Sequence, residues 1–154
     1  PGEPMQSFKR IPARDMPAGL FYRHIAVVCA IGLVLIAACG VYAFWLTTAS
    51  GMRDAQQEGV HVQMALSRIG QEYAGLGKSM VEDPATGALS EGTAQETLAA
   101  ASEKGTVHLY AFDEATMQAT AFDYDDGGYF VQYDAGRDQP WTVTSHAFGF
   151  VQTY

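Results

Sequence analysis

Apolar and polar positions follow three successive patterns along the chain. The first is an unbroken run, Ile25 to Leu46 (IAVVCAIGLVLIAACGVYAFWL), 22 residues without a charge. Wound as a helix at about 1.5 Å per residue it reaches roughly 33 Å, against a hydrocarbon core of about 30 Å, so it predicts one transmembrane helix. Phe21 and Tyr22 precede the run, and Tyr42, Phe44 and Trp45 stand at its far end. Rings in those places settle at the headgroup level of a bilayer. Ala26 and Ala30 are four apart, Ala43 lies four after a cysteine, and Gly32, Ile36 and Gly40 lie on one stripe. Small residues at this spacing let a second helix approach, and the six are expected to form a helix-packing interface.

The second pattern has a period near 3.5. Met52, Ala55, Gly59, Val62, Leu66, Ile69, Tyr73, Leu76 and Met80 form an apolar seam between largely polar positions, which predicts that the helix continues beyond the membrane. Gly51 and Gly59 are expected to weaken or kink its first turns. Glu82-Asp83-Pro84 is expected to end it, because the residue before a proline resists the α region. The seam fits two arrangements: packing on the helix's own domain, or an intermolecular contact.

The third pattern alternates. After a loop to about Ser90, Thr93-Ala94-Gln95-Glu96 matches a capping box and predicts a short helix over 94–103, closing near Gly105. From Thr106 onward β-branched and aromatic residues predict strands at 106–112, 118–124, 129–134, 141–144 and 146–154. Asp125-Asp126-Gly127-Gly128 supplies a turn. The expected fold is α+β: one N-terminal transmembrane helix continuing into a long helix that packs on a small antiparallel sheet.

Charge divides the chain at the same place. Of 154 residues carrying a net −8, residues 1–24 hold Lys9, Arg10, Arg14 and Arg23 against Glu3 and Asp15. Residues 47–154 hold five basic and fifteen acidic side chains. A basic flank stays on the cytoplasmic side. This gives a cytoplasmic tail at 1–24, a transmembrane helix at 25–46 and a periplasmic α+β domain at 47–154, in a bacterial inner membrane. Four prolines keep the tail from forming one continuous helix. An acidic domain cannot neutralise phosphates, so nucleic acid is excluded as a partner. Both cysteines, Cys29 and Cys39, fall in the apolar run. Ile36-Ala37-Ala38-Cys39 has the small-residue spacing of a lipoprotein signal, but apolar residues continue after Cys39, where such a signal turns polar.

Chemistry-bearing motifs are few. There is no nucleophile elbow, no zinc-protease helix and no phosphate-binding glycine loop, and the four histidines show no ligand spacing. No catalytic residue and no cofactor are therefore expected. Asp123, Asp125 and Asp134, with Gly127 and Gly128 between, approach the spacing of a calcium loop. Read as strand–turn–strand, the same residues are an acidic hairpin. Tyr129, Phe130, Tyr133, Trp141, Phe148 and Phe150 give the strands an aromatic surplus. That surplus implies either a docking surface on the outer face of the sheet or a curled sheet that buries both faces.

Gly87-Ala88-Leu89-Ser90-Glu91, then Ala94-Gln95 and Leu98, then Tyr110-x-Phe112-Asp113, with Trp141-Thr142-Val143 near the end, resemble the single Cache domain of bacterial membrane sensors. The resemblance covers about residues 52–154. It implies a long helix leaving the membrane, a short helix and a PAS-like sheet around a small organic ligand. Two departures stand out: the sheet segment is shorter than the family's, and the sequence shows no second span or output module. The resulting expectation is a non-catalytic, single-pass accessory subunit of an inner-membrane complex, respiratory or photosynthetic, with integral membrane subunits and the lipid bilayer as partners. The alternative is a periplasmic small-ligand module signalling through a partner. A pilin-like assembly protein ranks third, lacking the processing site of that group.

Overall fold

In a computed structural model the chain is described over residues 18–83 and 85–154, with side chains from Tyr22 onward. The sequence-predicted tail up to residue 17, Pro84 and the Phe21 side chain lie outside the described residues. The fold is α+β. Helix α1, Ala18–Gly75, is 58 residues long and includes the whole apolar run. It is followed by β1 (Val81–Asp83), β2 (Ala88–Leu89), α2 (Glu91–Ala101), β3 (Thr106–Asp113), β4 (Gln118–Asp125), β5 (Tyr129–Asp134), β6 (Trp141–Ser145) and β7 (Val151–Thr153). The seven strands form one antiparallel sheet in sequence order. The chain divides into two units, and the second, Phe44–Tyr154, holds the sheet.

Cross-strand register explains how that second unit is packed, because directly paired residues share a face. One row runs Leu109, Phe122, Tyr133 and Trp141, and Trp141 exchanges backbone hydrogen bonds with Tyr154. The next runs Val107, Tyr124, Val131, Val143 and Gln152. Both rows face α1, where Met52, Ala55, Val62, Leu66 and Ile69 are buried with them in one core. The apolar seam is thus consumed within its own domain. The intermolecular arrangement that the seam also fitted is excluded for Met52 to Ile69, which are all at most 3% exposed.

Packing is close because α1 carries glycine where the sheet carries rings. A Cβ added at Gly59 would lie 2.9 Å from Trp141 Cζ3 and 2.9 Å from Val131 Cγ1. One at Gly70 would strike the Phe112 ring, and one at Gly51 the Tyr129 hydroxyl. The glycines expected to kink the helix seat rings instead, and helical hydrogen bonding continues through all three. The helix-propensity cost, about 1 kcal/mol per glycine, is offset by burial worth about 1.5–3 kcal/mol per large side chain. Strand β3 adapts in turn. Leu109 and Phe112 are three apart, yet both reach α1, because the register shifts between Leu109 and Phe112. A bulge of this kind inserts one residue and restores the inward face.

The helix ends earlier than the proline predicted. Gly77 adopts φ +64, its N–H donates to the Ala74 carbonyl at 3.0 Å, and the Lys78 N–H donates to the Tyr73 carbonyl at 2.9 Å. These are the two bonds of a Schellman motif, which needs a left-handed residue just past the helix. Glycine at 77 is therefore the stop signal. Leu76, expected on the seam, is 68% exposed, whereas Met80 reaches the core from outside the helix. The segment after it, expected as loop, forms β1 and β2. Helix α2 starts at Glu91, with Ser90 at its N-cap, and not at Thr93. Thr93 is fully buried; its hydroxyl lies 2.5 Å from Ser90 Oγ and donates to Tyr73 Oη at 3.1 Å, tying α2 to α1. The predicted strands recur with small changes of boundary, except that 146–150 is a turn and only Val151–Thr153 pairs with β6.

Two outcomes follow for the full chain unfolded in detergent by denaturant. Gly59→Leu lowers stability by about 1–3 kcal/mol through overpacking, whereas Gly40→Leu, whose Cβ meets nothing within 4 Å, leaves the domain transition in place. Ser102→Gly raises stability by about 1 kcal/mol, because Ser102 closes α2 at φ 61, a conformation that costs a residue with a Cβ roughly that much.

Candidate membrane-facing surface

The candidate site is a surface, and it begins in α1. From Tyr22 to Leu46 every residue is exposed except the intermediate Gly32. One helix is long and apolar enough to cross a membrane, with a mean hydropathy of 2.7 in its best window and none of that window buried. Burying such a surface in water-free surroundings is strongly favourable at about 25 cal/mol per Å². Tyr22 and Trp45 bracket it, 23 residues and thus roughly 35 Å apart along the axis. Tyr22, Tyr42, Phe44 and Trp45 are all exposed. Past Leu46 the polar side chains satisfy themselves on the helix. Thr47 and Thr48 hydroxyls donate to the Phe44 carbonyl at 2.9 and 3.0 Å, and Ser50 to the Thr47 carbonyl at 2.9 Å.

The small residues expected to form one packing interface fall on two neighbouring stripes. At about 100° per residue, Gly32, Ile36, Gly40 and Ala43 share an arc of roughly 80°, and Ala26 and Ala30 lie to one side of it. A Cβ at Gly32 or Gly40 would meet nothing within 4 Å.

The six aromatics expected to form a docking surface separate. Trp141, 9% exposed, belongs to the core. Tyr133 packs between Phe122 and Trp141, with ring centroids at 5.5 and 4.5 Å, and Tyr129 lies on Gly51. Antiparallel pairing assigns these three inward, so the outer face is not an aromatic plane. That face carries a polar row, His108, Asp123, Gln132, Thr142 and Thr153. Phe130 sits on it, half-buried, paired with Thr144. The sheet buries one face, so the curled alternative is not realised either. Only Phe148 and Phe150 remain as exposed aromatics of the six. They occupy the β6–β7 turn, and Phe148 stacks edge-on against Phe44 with centroids 4.7 Å apart.

The three carboxylates of the calcium-like spacing are not brought together. Asp134 pairs with Ala121, and Asp125 pairs with Phe130. Asp125 and Asp134 are thus four strand residues apart, roughly 13 Å, while ligands of one calcium ion lie within about 5 Å of each other given bonds of 2.3–2.6 Å. Each acid has structural work. β1, β3, β4 and β5 all end in aspartate, and each carboxylate accepts the amide two residues on: Asp83 from Ala85, Asp113 from Ala115, Asp125 from Gly127 and Asp134 from Gly136, at 2.8 to 2.9 Å. These are Asx turns. Asp125 also lies 3.0 Å from His146 Nε2 through both oxygens. Among the described residues no group of three or more His, Cys, Asp or Glu side chains is placed to hold a metal.

A small polar cluster at the α1–sheet edge has no local signal in the sequence. The buried Tyr124 ring sends its hydroxyl to the Lys104 carbonyl at 2.8 Å, with Glu58 Oε2 at 3.2 Å. Burial, and then the charge of Glu58, push the Tyr124 hydroxyl well above the usual phenol range. Glu58 is raised above 4.5, chiefly by burial, and further by Glu103, Asp126 and Asp54, against the lowering effect of the Tyr124 hydrogen bond. The register that puts Tyr124 opposite Glu58 lies 66 residues away in sequence, beyond any local pattern.

A groove of about 260 Å³ between α2 and β3 is lined by Leu89, Ala94, Leu98, Val107 and His108 among others. Pockets for organic ligands start at about 300 Å³ and bury most of their guest. No protein-family model, no curated protein and no solved structure matches this chain.

Two measurements check this reading. Millimolar calcium leaves Tm unchanged, whereas a metal site would raise it. For Glu58, the folded pKa lies above the unfolded one, so its contribution is favourable below about pH 4.5 and is lost as pH rises through the folded value. Glu58→Gln therefore flattens the decline of stability above pH 4.5, read from denaturant midpoints across pH.

Proposed function

We propose that this chain is a non-catalytic, single-pass accessory subunit of a bacterial inner-membrane protein complex, with its N-terminal tail cytoplasmic and its acidic α+β domain periplasmic. One observation carries the reading. In α1 the seam from Met52 to Ile69 is buried under its own sheet, while the apolar run before it is exposed among the described residues. The helix therefore has its apolar surface left over in one place, where lipid and partner helices would supply the contacts. Gly32, Gly40 and Ala43 offer a close approach there, since association of helices within lipid depends on packing and not on the hydrophobic effect. The orientation rests on the basic residues before the run and the acidic excess after it.

A periplasmic ligand-sensing module, the role that the Cache-like residues imply, draws less support. The layer between α1 and the sheet is filled by Phe122, Tyr124 and Trp141. What remains is a set of open surface clefts, among them the groove beside α2 and a cleft of about 510 Å³ between α1 and α2 at His61, Met64 and Ala101.

Extraction in mild detergent, followed by size-exclusion chromatography and native mass spectrometry, tests the subunit reading. The chain is expected in a defined stoichiometry with other integral membrane proteins. The double variant Gly32→Leu/Gly40→Leu is expected to release it while leaving the domain's unfolding midpoint unchanged. A wild-type chain that elutes as a stable monomer sinks the proposal.

A further inference from the structure

The β6–β7 turn exposes two phenylalanines and a valine side by side. Phe148 and Phe150 are 56% and 51% exposed, and Val151 beside them is 61% exposed. The turn is nonetheless well defined. The Ser145 N–H donates to the Phe150 carbonyl at 2.9 Å, the Gly149 N–H donates to the Ser145 carbonyl at 2.8 Å, and Gly149 takes φ 62. The two rings stand 6.2 Å apart. Large apolar side chains held outward on a rigid turn are costly in water, at about 25 cal/mol per Å², so something covers them.

The cover is identified by what the turn touches and by its charge. Phe148 packs against Phe44, which belongs to the apolar run. Counted from the middle of that run, Phe44 lies eight to nine residues out, about 13 Å along the axis, just inside the half-thickness of about 15 Å of a hydrocarbon core. The tip of the turn is therefore at the boundary between acyl chains and headgroups. The domain carries fifteen acids, yet from Trp141 to Tyr154 there is no Asp, Glu, Lys or Arg. His146, the one ionisable side chain at the start of the turn, points back to Asp125 on β4. An uncharged aromatic tip on an acidic body suits a lipid interface, where phenyl rings are favoured and carboxylates are not. The neighbouring β4–β5 turn, which carries Asp126, limits how deep it can go.

We infer that the β6–β7 turn, through Phe148, Phe150 and Val151, inserts into the headgroup–acyl boundary of the bilayer and gives the domain a second attachment beside the span. This rests on the reading of α1 as membrane-spanning, and the test separates the two.

The full chain, with Cys29→Ala and Cys39→Ala, is reconstituted in phosphatidylcholine vesicles. It carries an environment-sensitive fluorophore at one of four introduced cysteines: Leu35→Cys in the run, Phe150→Cys or Val151→Cys in the turn, and Gln95→Cys on the exposed side of α2. Brominated phospholipids then quench at a chosen depth. The label at 35 should be quenched most by bromine deep in the acyl chain. Labels at 150 and 151 should be quenched most by shallow bromine, with a loss of about half the emission, as for groups at the interface. The label at 95 should be unaffected. Quenching at 35 with water-like emission at 150 and 151 overturns the inference alone. Labels at 150 and 151 that are shielded from aqueous iodide but not quenched by bromine also overturn it, and assign the turn to a protein contact. Absence of quenching at 35 overturns the spanning reading itself. Both turn positions are exposed, so neither replacement removes a core contact, and agreement between them guards against local misfolding.

Discussion

The contact on which the second unit depends is the seating of aromatic rings in glycine notches along α1. Gly51, Gly59 and Gly70 receive Tyr129, Trp141 and Phe112. With a larger residue at any of them, the sheet would stand further off, and the two inward rows of the sheet would lose contact with Val62, Leu66 and Ile69. Interiors are packed to the density of organic crystals, so a gap of even 1 Å forfeits a sizeable share of the dispersion energy. Other features follow from this closeness. The bulge in β3 exists so that Leu109 and Phe112 both reach the helix. Thr93 is buried because α2 must lie against Tyr73. The apolar run of α1 is left exposed among the described residues.

The sheet is organised by a second device, the aspartate that ends β1, β3, β4 and β5. A carboxylate accepting the amide two residues ahead fixes a tight turn without a buried charge, and it lets consecutive strands pair in sequence order with short connections. Much of the acidity of the domain thus has a local structural cause. That also removes the basis for the calcium-like spacing. Asp123, Asp125 and Asp134 are near in sequence because a hairpin is short, and Asp125 and Asp134 are distant in space because pairing places them at opposite ends of β4.

A filled core bears on function as well. A ligand cavity needs space that side chains leave empty. Here Phe122, Tyr124 and Val131, each at most 1% exposed, occupy the layer between helix and sheet. Exposed apolar side chains cluster in the run of α1 and in the β6–β7 turn, and Phe44 belongs to the first and packs against the second.

Local chemistry determined a good deal of this structure on its own. The apolar run, the seam that follows it, the strands at 106, 118, 129 and 141 and the turn at Asp125–Gly128 are legible because each is fixed by side chains a few residues apart, through the periods of 3.6 and 2 that helix and strand impose. The Schellman stop at Gly77 is also local, a glycine just past the last helical turn, although Pro84 is the more conspicuous breaker. Other features needed the tertiary structure, since they depend on which distant residues meet. Whether the seam faces its own sheet or another chain, whether a glycine is a weak point or a seat for a ring, and which of six aromatics stay in water are all settled by contacts between distant residues, such as Gly70 with Phe112 and Gly59 with Trp141. Register is the physical reason: once β4 and β5 align Phe122 with Tyr133, every other side chain in those strands is assigned to a face, and no stretch of the sequence alone carries that choice.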